Sequence, residues 1–315
     1  MRAATIRDRQ IVIEEHPDPE PAASEVLVRV RAAGLNGGDM MQLRGLYPAP
    51  PGYPQDIPGM EFAGEVVALG AHPAGAERLA VGDRVMAIVG GGAQAQLATV
   101  HERQLMPVPQ ALDWPAAGGL PEVFTTAHDA IFTQAELRPG ERLLVHGGAG
   151  GVGTAAIQLA RATGARVTAT VRNQAMRDGV AALGAEVIAP DGFSEHGPFD
   201  VILELVGAPN LAENLQALAT GGRITVIGVG AGVTGELNLL ALMGKRARIH
   251  GSTLRARSLE EKALAARGLE REVLPLFESG ALQVPVAETF PLEDAAAAYE
   301  RFAAGGKLGK IVLEM

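Results

Sequence analysis

The rhythm of hydrophobic positions changes about a third of the way along the chain. Over 25–31 it alternates: Val26, Val28 and Val30 fall on one face, Arg29 and Arg31 on the other. That period of two is the signature of a half-buried strand. Short apolar runs over 65–69 and 84–89 predict further strands. Between them Pro48, Pro50, Pro51, Gly52 and Pro54 form a turn-rich loop. Short strands separated by turns predict a small barrel-like or sandwich-like unit.

After about Trp114 strands alternate with helices. Strands are expected over 142–146, 166–171, 186–189, 200–204 and 223–228, with a sixth at 246–250. Helices are expected over 151–163, 174–183 and 211–219. Such alternation implies parallel pairing and a doubly wound α/β sheet. One amphipathic helix is expected over 259–278, broken near Pro275. A strand over 284–289, a helix over 292–303 and a strand over 310–314 close the chain. It shows no repeat and no disordered tract.

Composition narrows the classes. The chain has 315 residues, 47% of them hydrophobic, enough for one large or two ordinary cores. No apolar run approaches the ~20 residues that span a bilayer. Residues 1–21 lack the continuous apolar stretch of a secretory signal. A cytoplasmic protein with no membrane partner is therefore expected. The formal charge is −9 and there is no basic block. A nucleic-acid partner would need a cationic face, so none is expected. The absence of cysteine excludes disulfides, thiolate catalysis and sulfur-ligated metal.

The strand over 142–146 runs into Gly147-Gly148-Ala149-Gly150-Gly151-Val152-Gly153. Here G-x-G-x-x-G falls at Gly148, Gly150 and Gly153, after a strand and at the start of a helix, the context that gives this pattern its meaning. Glycines let the backbone turn sharply and approach a pyrophosphate, and the helix N-terminus offers free N–H groups. Gly148, Ala149, Gly150, Gly151, Val152 and Gly153 are therefore candidate dinucleotide contacts. NAD sites carry Asp or Glu at the end of the second strand, on the ribose 2′-hydroxyl. The residues there are Thr170, Val171, Arg172 and Asn173. An arginine grips a 2′-phosphate where a carboxylate repels it, so NADP(H) is the expected cofactor.

Other chemistries fail on residues. His101-Glu102 begins H-E-x-x-H, but Leu105 holds the last place. No P-loop and no G-x-S-x-G elbow occurs. Tyr47, Tyr53 and Tyr299 each lack a lysine four residues on. His128, His146 and His250 are candidate proton carriers or ordinary structural histidines.

Further segments carry a resemblance over nearly the whole chain: Gly34-Leu35-Asn36-Gly37-Gly38-Asp39, Gly45-Leu46-Tyr47-Pro48, Pro58-Gly59-Met60-Glu61, Gly82-Asp83-Arg84-Val85, Pro121-Glu122-Val123-Phe124-Thr125-Thr126-Ala127 and Gly305 to Val312. With the glycine turn, they resemble the zinc-free quinone oxidoreductase group of the medium-chain dehydrogenase/reductase superfamily, in its p53-inducible quinone oxidoreductase-like branch. The resemblance implies a GroES-like catalytic domain of 1–118 and 256–315 and a Rossmann NADP(H)-binding domain of 119–255. It implies a homodimer, joined through edges of the nucleotide-binding sheets. Zinc-dependent relatives ligate metal with Cys and His; the corresponding places hold Asn36 and Met60, so metal-free chemistry is expected.

Without a Lewis acid, the acceptor must take hydride directly, as a quinone or a carbonyl-conjugated alkene can. The expected activity is NADPH-dependent quinone reduction in a cleft between the domains. Reduction of an enone, alkenal or enoyl thioester is the alternative, and a non-catalytic nucleotide-binding protein is a third reading. The resemblance implies Asn36, Tyr47, Tyr53 and Thr126 as cleft residues, with a tyrosine, solvent or the cofactor ribose as proton source. It adds Val206, Gly207, Gly228, Val229, Gly230, Thr253, Leu254 and Lys310 to the cofactor set, and Ser252 and Arg255 as possible lining. Family members often carry a lysine after the second strand and a tyrosine after the third. Here Asn173-Gln174 and Pro190-Asp191 occupy those neighbourhoods.

Overall fold

The computed structural model describes residues 1–71 and 78–315. These form two compact units. One comprises Met1–Thr125, Leu254–Gly305 and Lys310–Met315; the other comprises Thr126–Thr253 and Gly306–Gly309. The division falls inside the helix Pro121–His128, whereas the sequence placed it at 118/119. The short return of 306–309 to the second unit was not expected.

The first unit is built on a seven-stranded sheet. Its order is Val286–Pro291, Lys310–Glu314, Glu25–Gly34, Glu61–Leu69, Arg84–Ile88 and Met106–Pro107, with Leu97–His101 also paired to Glu25–Gly34. The alternation over 25–31 reads out directly. Val26, Val28 and Val30 are buried and pack with Phe62, Val66, Val85 and Leu105, while Arg29 faces out. A separate hairpin pairs Arg2–Arg7 with Gln10–Glu15. Its two-residue turn, Asp8-Arg9, has positive φ at both positions (48° and 62°). Glycine normally marks such turns, which is why the pattern gave no hairpin signal. The 259–278 stretch divides into Leu259–Glu272 and Leu274–Glu278. Pro275 lies in the first turn of the second helix, where its missing N–H has no helical partner to lose.

The second unit is a six-stranded, all-parallel sheet. Its order is Glu186–Ile188, Arg166–Thr170, Arg142–Val145, Phe199–Glu204, Leu218–Val226 and Arg248–Gly251. In strand sequence that is 3-2-1-4-5-6, the doubly wound nucleotide-binding order. The two central strands are apolar on both faces: Leu143, Leu144, Val201, Ile202 and Leu203 have no exposed surface. The helix Gly151–Ala162 buries Ala155, Ala156, Ile157, Leu159 and Ala160. Three details depart from expectation. The helix Leu211–Ala217 yields to the strand at Leu218. A helix forms at Leu239–Lys245. A π-helical stretch, Asp129–Gln134, follows Pro121–His128. No helix among the described residues is long and apolar enough to cross a membrane.

Candidate functional site

In the second unit the strand order reverses between Arg142–Val145 and Phe199–Glu204. Open α/β sheets bind ligands at the carboxyl ends of strands flanking such a point. Both flanking strands end in expected cofactor segments, Gly147–Gly153 after the first and Val206-Gly207 after the second.

Chain geometry requires glycine in the turn. Gly147 has φ 66°. A Cβ on Gly148 would lie 2.8 Å from Ala169 Cβ, and one on Gly153 would lie 2.5 Å from Gly147 O. At Gly150, the helix N-cap, only Gly147 O comes near, at 3.4 Å. Thus two of the motif glycines let helix, turn and strand pack closely, while the third sits at the open mouth. The helix opens on Gly151, Val152 and Gly153, whose N–H groups have no acceptor within the helix. Gly148 N–H donates to Thr170 O at 3.1 Å and Gly147 N–H to Thr170 Oγ1 at 3.3 Å. Thr170 is buried, so it supports the turn from below.

Arg172 and Asn173 follow Thr170 and are both exposed. Asn173 Oδ1 accepts from Ala175 N–H and caps a short 3-10 turn. Among the described residues Arg172 has no ion-pair partner. The return segment joins this group: Gly309 N–H donates to Ala149 O at 2.9 Å, and a Cβ on Gly306 would lie 3.4 Å from Asn173 Nδ2. The segments after the fourth and fifth strands are also brought together. Ala231 N–H donates to Val206 O and Ala208 N–H to Gly232 O. A Cβ on Gly228 would lie 2.3 Å from Leu205 O.

In the first unit, Asn36 and Lys310 belong to one buried network. Lys310 Nζ donates to Leu35 O at 2.8 Å, Asn36 Oδ1 at 2.7 Å and Glu61 Oε1 at 2.6 Å. Asn36 Nδ2 donates to Glu61 Oε1 and Gly34 O. Glu122 N–H supplies Glu61 Oε2. All three Lys310 donors are engaged, so its ammonium has none left for a cofactor, and the expected direct contact is corrected to an internal one. Asn36 likewise has both amide hydrogens committed. Asp39 extends the network by accepting from Asn36 N–H and Gly59 N–H. It is fully buried, and desolvation pushes its carboxyl up to about 6.

Two cations hold the tyrosine loop of this unit. Arg255 donates to Gly90 O, Tyr47 O and Gln42 Oε1, and its guanidinium lies 4.8 Å from the centre of the Tyr47 ring. Lys262 Nζ is 3.5 Å from Tyr53 Oη and 5.0 Å from that ring's centre. The Tyr53 ring lies against Gly90, where a Cβ would come within 2.4 Å of it. Sequence reading missed Lys262 altogether and placed Arg255 only as lining. Arg255 precedes the N-cap Ser258 while Lys262 lies in the helix Leu259–Glu272, so no shared helix face marked the pair in the sequence.

Leu254 is buried and lines a cavity of about 10 Å³ with Thr125, Lys262, Gln104, Ile88 and Met106. That is room for one water, not for a substrate. Thr126 is buried and Thr253 exposed. His128 stacks edge-on with Phe132, and His250 Nε2 meets Thr225 Oγ1 at 2.9 Å. Among the described residues no group of three or more His, Cys, Asp or Glu could hold a metal ion.

Known proteins share this architecture. Residues 22–110 match the family model described as alcohol dehydrogenase GroES-like domain, and residues 183–313 match that described as zinc-binding dehydrogenase. A solved NAD-dependent alcohol dehydrogenase superposes with a TM-score of 0.88 at 28% identity, covering 100% of both chains. An alcohol dehydrogenase superfamily protein from Novosphingobium aromaticivorans gives 0.87 at 30% identity, covering 100% of this chain and 99% of the other. The fold and its glycine turn therefore define an oxidoreductase of the medium-chain dehydrogenase/reductase superfamily, whose members bind a nicotinamide cofactor. Quinone oxidoreductase of Rattus norvegicus is 32% identical over 309 residues, covering 94% of this chain and 90% of the relative. The chain belongs to the quinone oxidoreductase group of that superfamily. It also matches, at 35% identity over 95% of its length, 14% of the spectinabilin polyketide synthase system protein NorB of Streptomyces orinoci.

Proposed function

We propose that this protein is an NADPH-dependent quinone oxidoreductase that works without a metal. Arg172 carries the cofactor preference: it is exposed, has no ion-pair partner among the described residues, and follows the second strand, Arg166–Thr170, in the region where a carboxylate would select NAD. The residues fit the dinucleotide. Gly148 and Gly153 leave no room for a side chain, and the Gly151–Ala162 helix presents its first N–H groups for the pyrophosphate. Val206, Gly207, Gly228, Val229 and Gly230 line the remainder. Bound NADPH supplies the hydride.

The protein's own residues orient the acceptor and handle the proton. Tyr53 Oη accepts from Lys262, whose ammonium has only donors, so the phenolic hydrogen is free to turn to an acceptor oxygen. Tyr47 is the second candidate donor and Thr126 a third polar contact. Asn36, with its amide hydrogens committed to Glu61 and Gly34, has a positioning role rather than a donor role. The chain carries no cysteine, so it relies on an acceptor whose reduced form is delocalised, as quinols and enolates are.

Nicotinamide oxidation followed by absorbance tests this reading. NADPH and NADH are each presented with an ortho-quinone, a para-quinone, an alkenal and an enoyl thioester. Quinone turnover faster with NADPH is expected. Turnover of the alkenal or thioester alone moves the assignment to double-bond reduction, the reading favoured by the match to part of polyketide synthases. Binding with no turnover of any acceptor leaves a non-catalytic nucleotide-binding protein.

We also propose a cytoplasmic homodimer. The edge strand Arg248–Gly251 has one open side, and Leu239, Leu240 and Met243 nearby in sequence are 64%, 78% and 71% exposed. Light scattering should give twice the chain mass, and Leu240→Glu should give monomers.

A further inference from the structure

A buried polar chain joins three strand ends in the second unit. Glu204, at the end of Phe199–Glu204, accepts at both oxygens. Val206 N–H and Gly207 N–H reach Oε1 at 2.7 and 2.8 Å, Asn214 Nδ2 reaches Oε2 at 2.7 Å, and Asn210 Nδ2 lies near both. Asn214 Oδ1 meets His146 Nε2 at 2.7 Å. His146 Nδ1 meets Thr170 Oγ1 at 3.1 Å, and Thr170 Oγ1 accepts from Gly147 N–H. Glu204, Asn214, His146 and Thr170 are each at most 3% exposed.

The hydrogens along this chain can be ordered in one way. Facing an acceptor, Asn214 must turn its NH₂ to Glu204 and its carbonyl to His146. His146 Nε2 therefore carries a hydrogen. Desolvation lowers the His146 pKa, which favours a ring with a single N–H. Nδ1 is then the acceptor, Thr170 O–H donates to it, and the Thr170 lone pair faces Gly147 N–H. Each bond fixes the direction of the next, and the sequence runs from the Val206-Gly207 loop to the glycine turn. Such cooperative networks hold backbone more firmly than isolated bonds.

We propose that Glu204, Asn214, His146 and Thr170 are positioning residues that set dinucleotide affinity by locking the glycine turn and the Val206-Gly207 loop in one relative placement. The proposal rests on the glycine turn being the dinucleotide site. Asn214 is the sharpest case, since it links the two halves of the chain, Glu204 on one side and His146 on the other.

The test titrates each protein with NADPH and NADH by nicotinamide fluorescence, beside steady-state kinetics and thermal melts. Thr170→Val removes the acceptor of Gly147 N–H, and Asn214→Ala cuts the chain at its other end. Both should raise the dinucleotide Kd and KM about tenfold and leave kcat at saturation unchanged. Thr170→Ser should restore wild-type affinity. Wild-type affinity in folded Thr170→Val and Asn214→Ala overturns the positioning role while leaving the dinucleotide site intact. If Thr170→Val does not fold, Asn214→Ala against Thr170→Ser decides. A wild-type protein that binds neither dinucleotide overturns the underlying site as well.

Discussion

Lys310 Nζ lies 2.6 Å from Glu61 Oε1, and the two side chains are 3% and 0% exposed. The pair joins the last strand, Lys310–Glu314, to the strand Glu61–Leu69 and holds Asn36 between them. An ion pair this deep is costly to break from one side, because the remaining charge keeps its desolvation penalty. Lys310→Met should therefore destabilise the protein by about 3–5 kcal/mol in urea unfolding. Adding Glu61→Gln to that variant should recover part of the loss. A double variant no more stable than Lys310→Met would show that the charge is not what matters.

Asp39 and His146 give stability opposite pH slopes. Burial raises the Asp39 carboxyl from 3.8 to about 6, so the folded state binds this proton more tightly than the unfolded state does. Its contribution is complete below 3.8 and is lost as pH rises through about 6. Desolvation lowers His146 from 6.5, so its contribution is present above that value and is lost as pH falls. Asp39→Asn also orphans either Asn36 N–H or Gly59 N–H, since Asn offers one acceptor oxygen, costing about 1–3 kcal/mol. Urea unfolding should show the gap between wild type and Asp39→Asn narrowing as pH rises from 4 to 7. A gap independent of pH would contradict the burial of an acid at this position.

Arg172→Ala should weaken NADPH binding about ten- to a hundredfold, the range of a charge-assisted bond to phosphate, and leave NADH unaffected. Equal losses for both cofactors would mean that Arg172 does not meet the 2′-phosphate.

Tyr53→Phe removes the hydroxyl and keeps the ring against Gly90. If Tyr53 supplies the proton, kcat should fall about a hundredfold or more with dinucleotide affinity unchanged. Lys262→Met, which frees the phenolic oxygen, should lower kcat less. Wild-type kcat in Tyr53→Phe, with a loss in Tyr47→Phe, would transfer the role to Tyr47.

Much of this protein was legible in its sequence because the signals are local. Strand alternation at Val26, Val28 and Val30 depends only on a period of two, and the doubly wound sheet on strands alternating with helices. The glycine turn followed from Gly148, Gly150 and Gly153 between a strand and a helix. The Asp8-Arg9 hairpin and the Leu239–Lys245 helix escaped, the first because no glycine marks its turn.

What the tertiary structure decided is which polar groups meet. Lys310 read as a cofactor contact and proved to be the buried partner of Glu61, 249 positions away. Tyr53 has no lysine four residues on, yet Lys262 reaches it from 209 positions away. His146 looked like a lone histidine and is the middle of a chain from Glu204 to Gly147. Periodicity reports which face of an element is apolar. The partner of a buried donor is set by how strands and helices pack, and that information is spread over residues far apart in the chain.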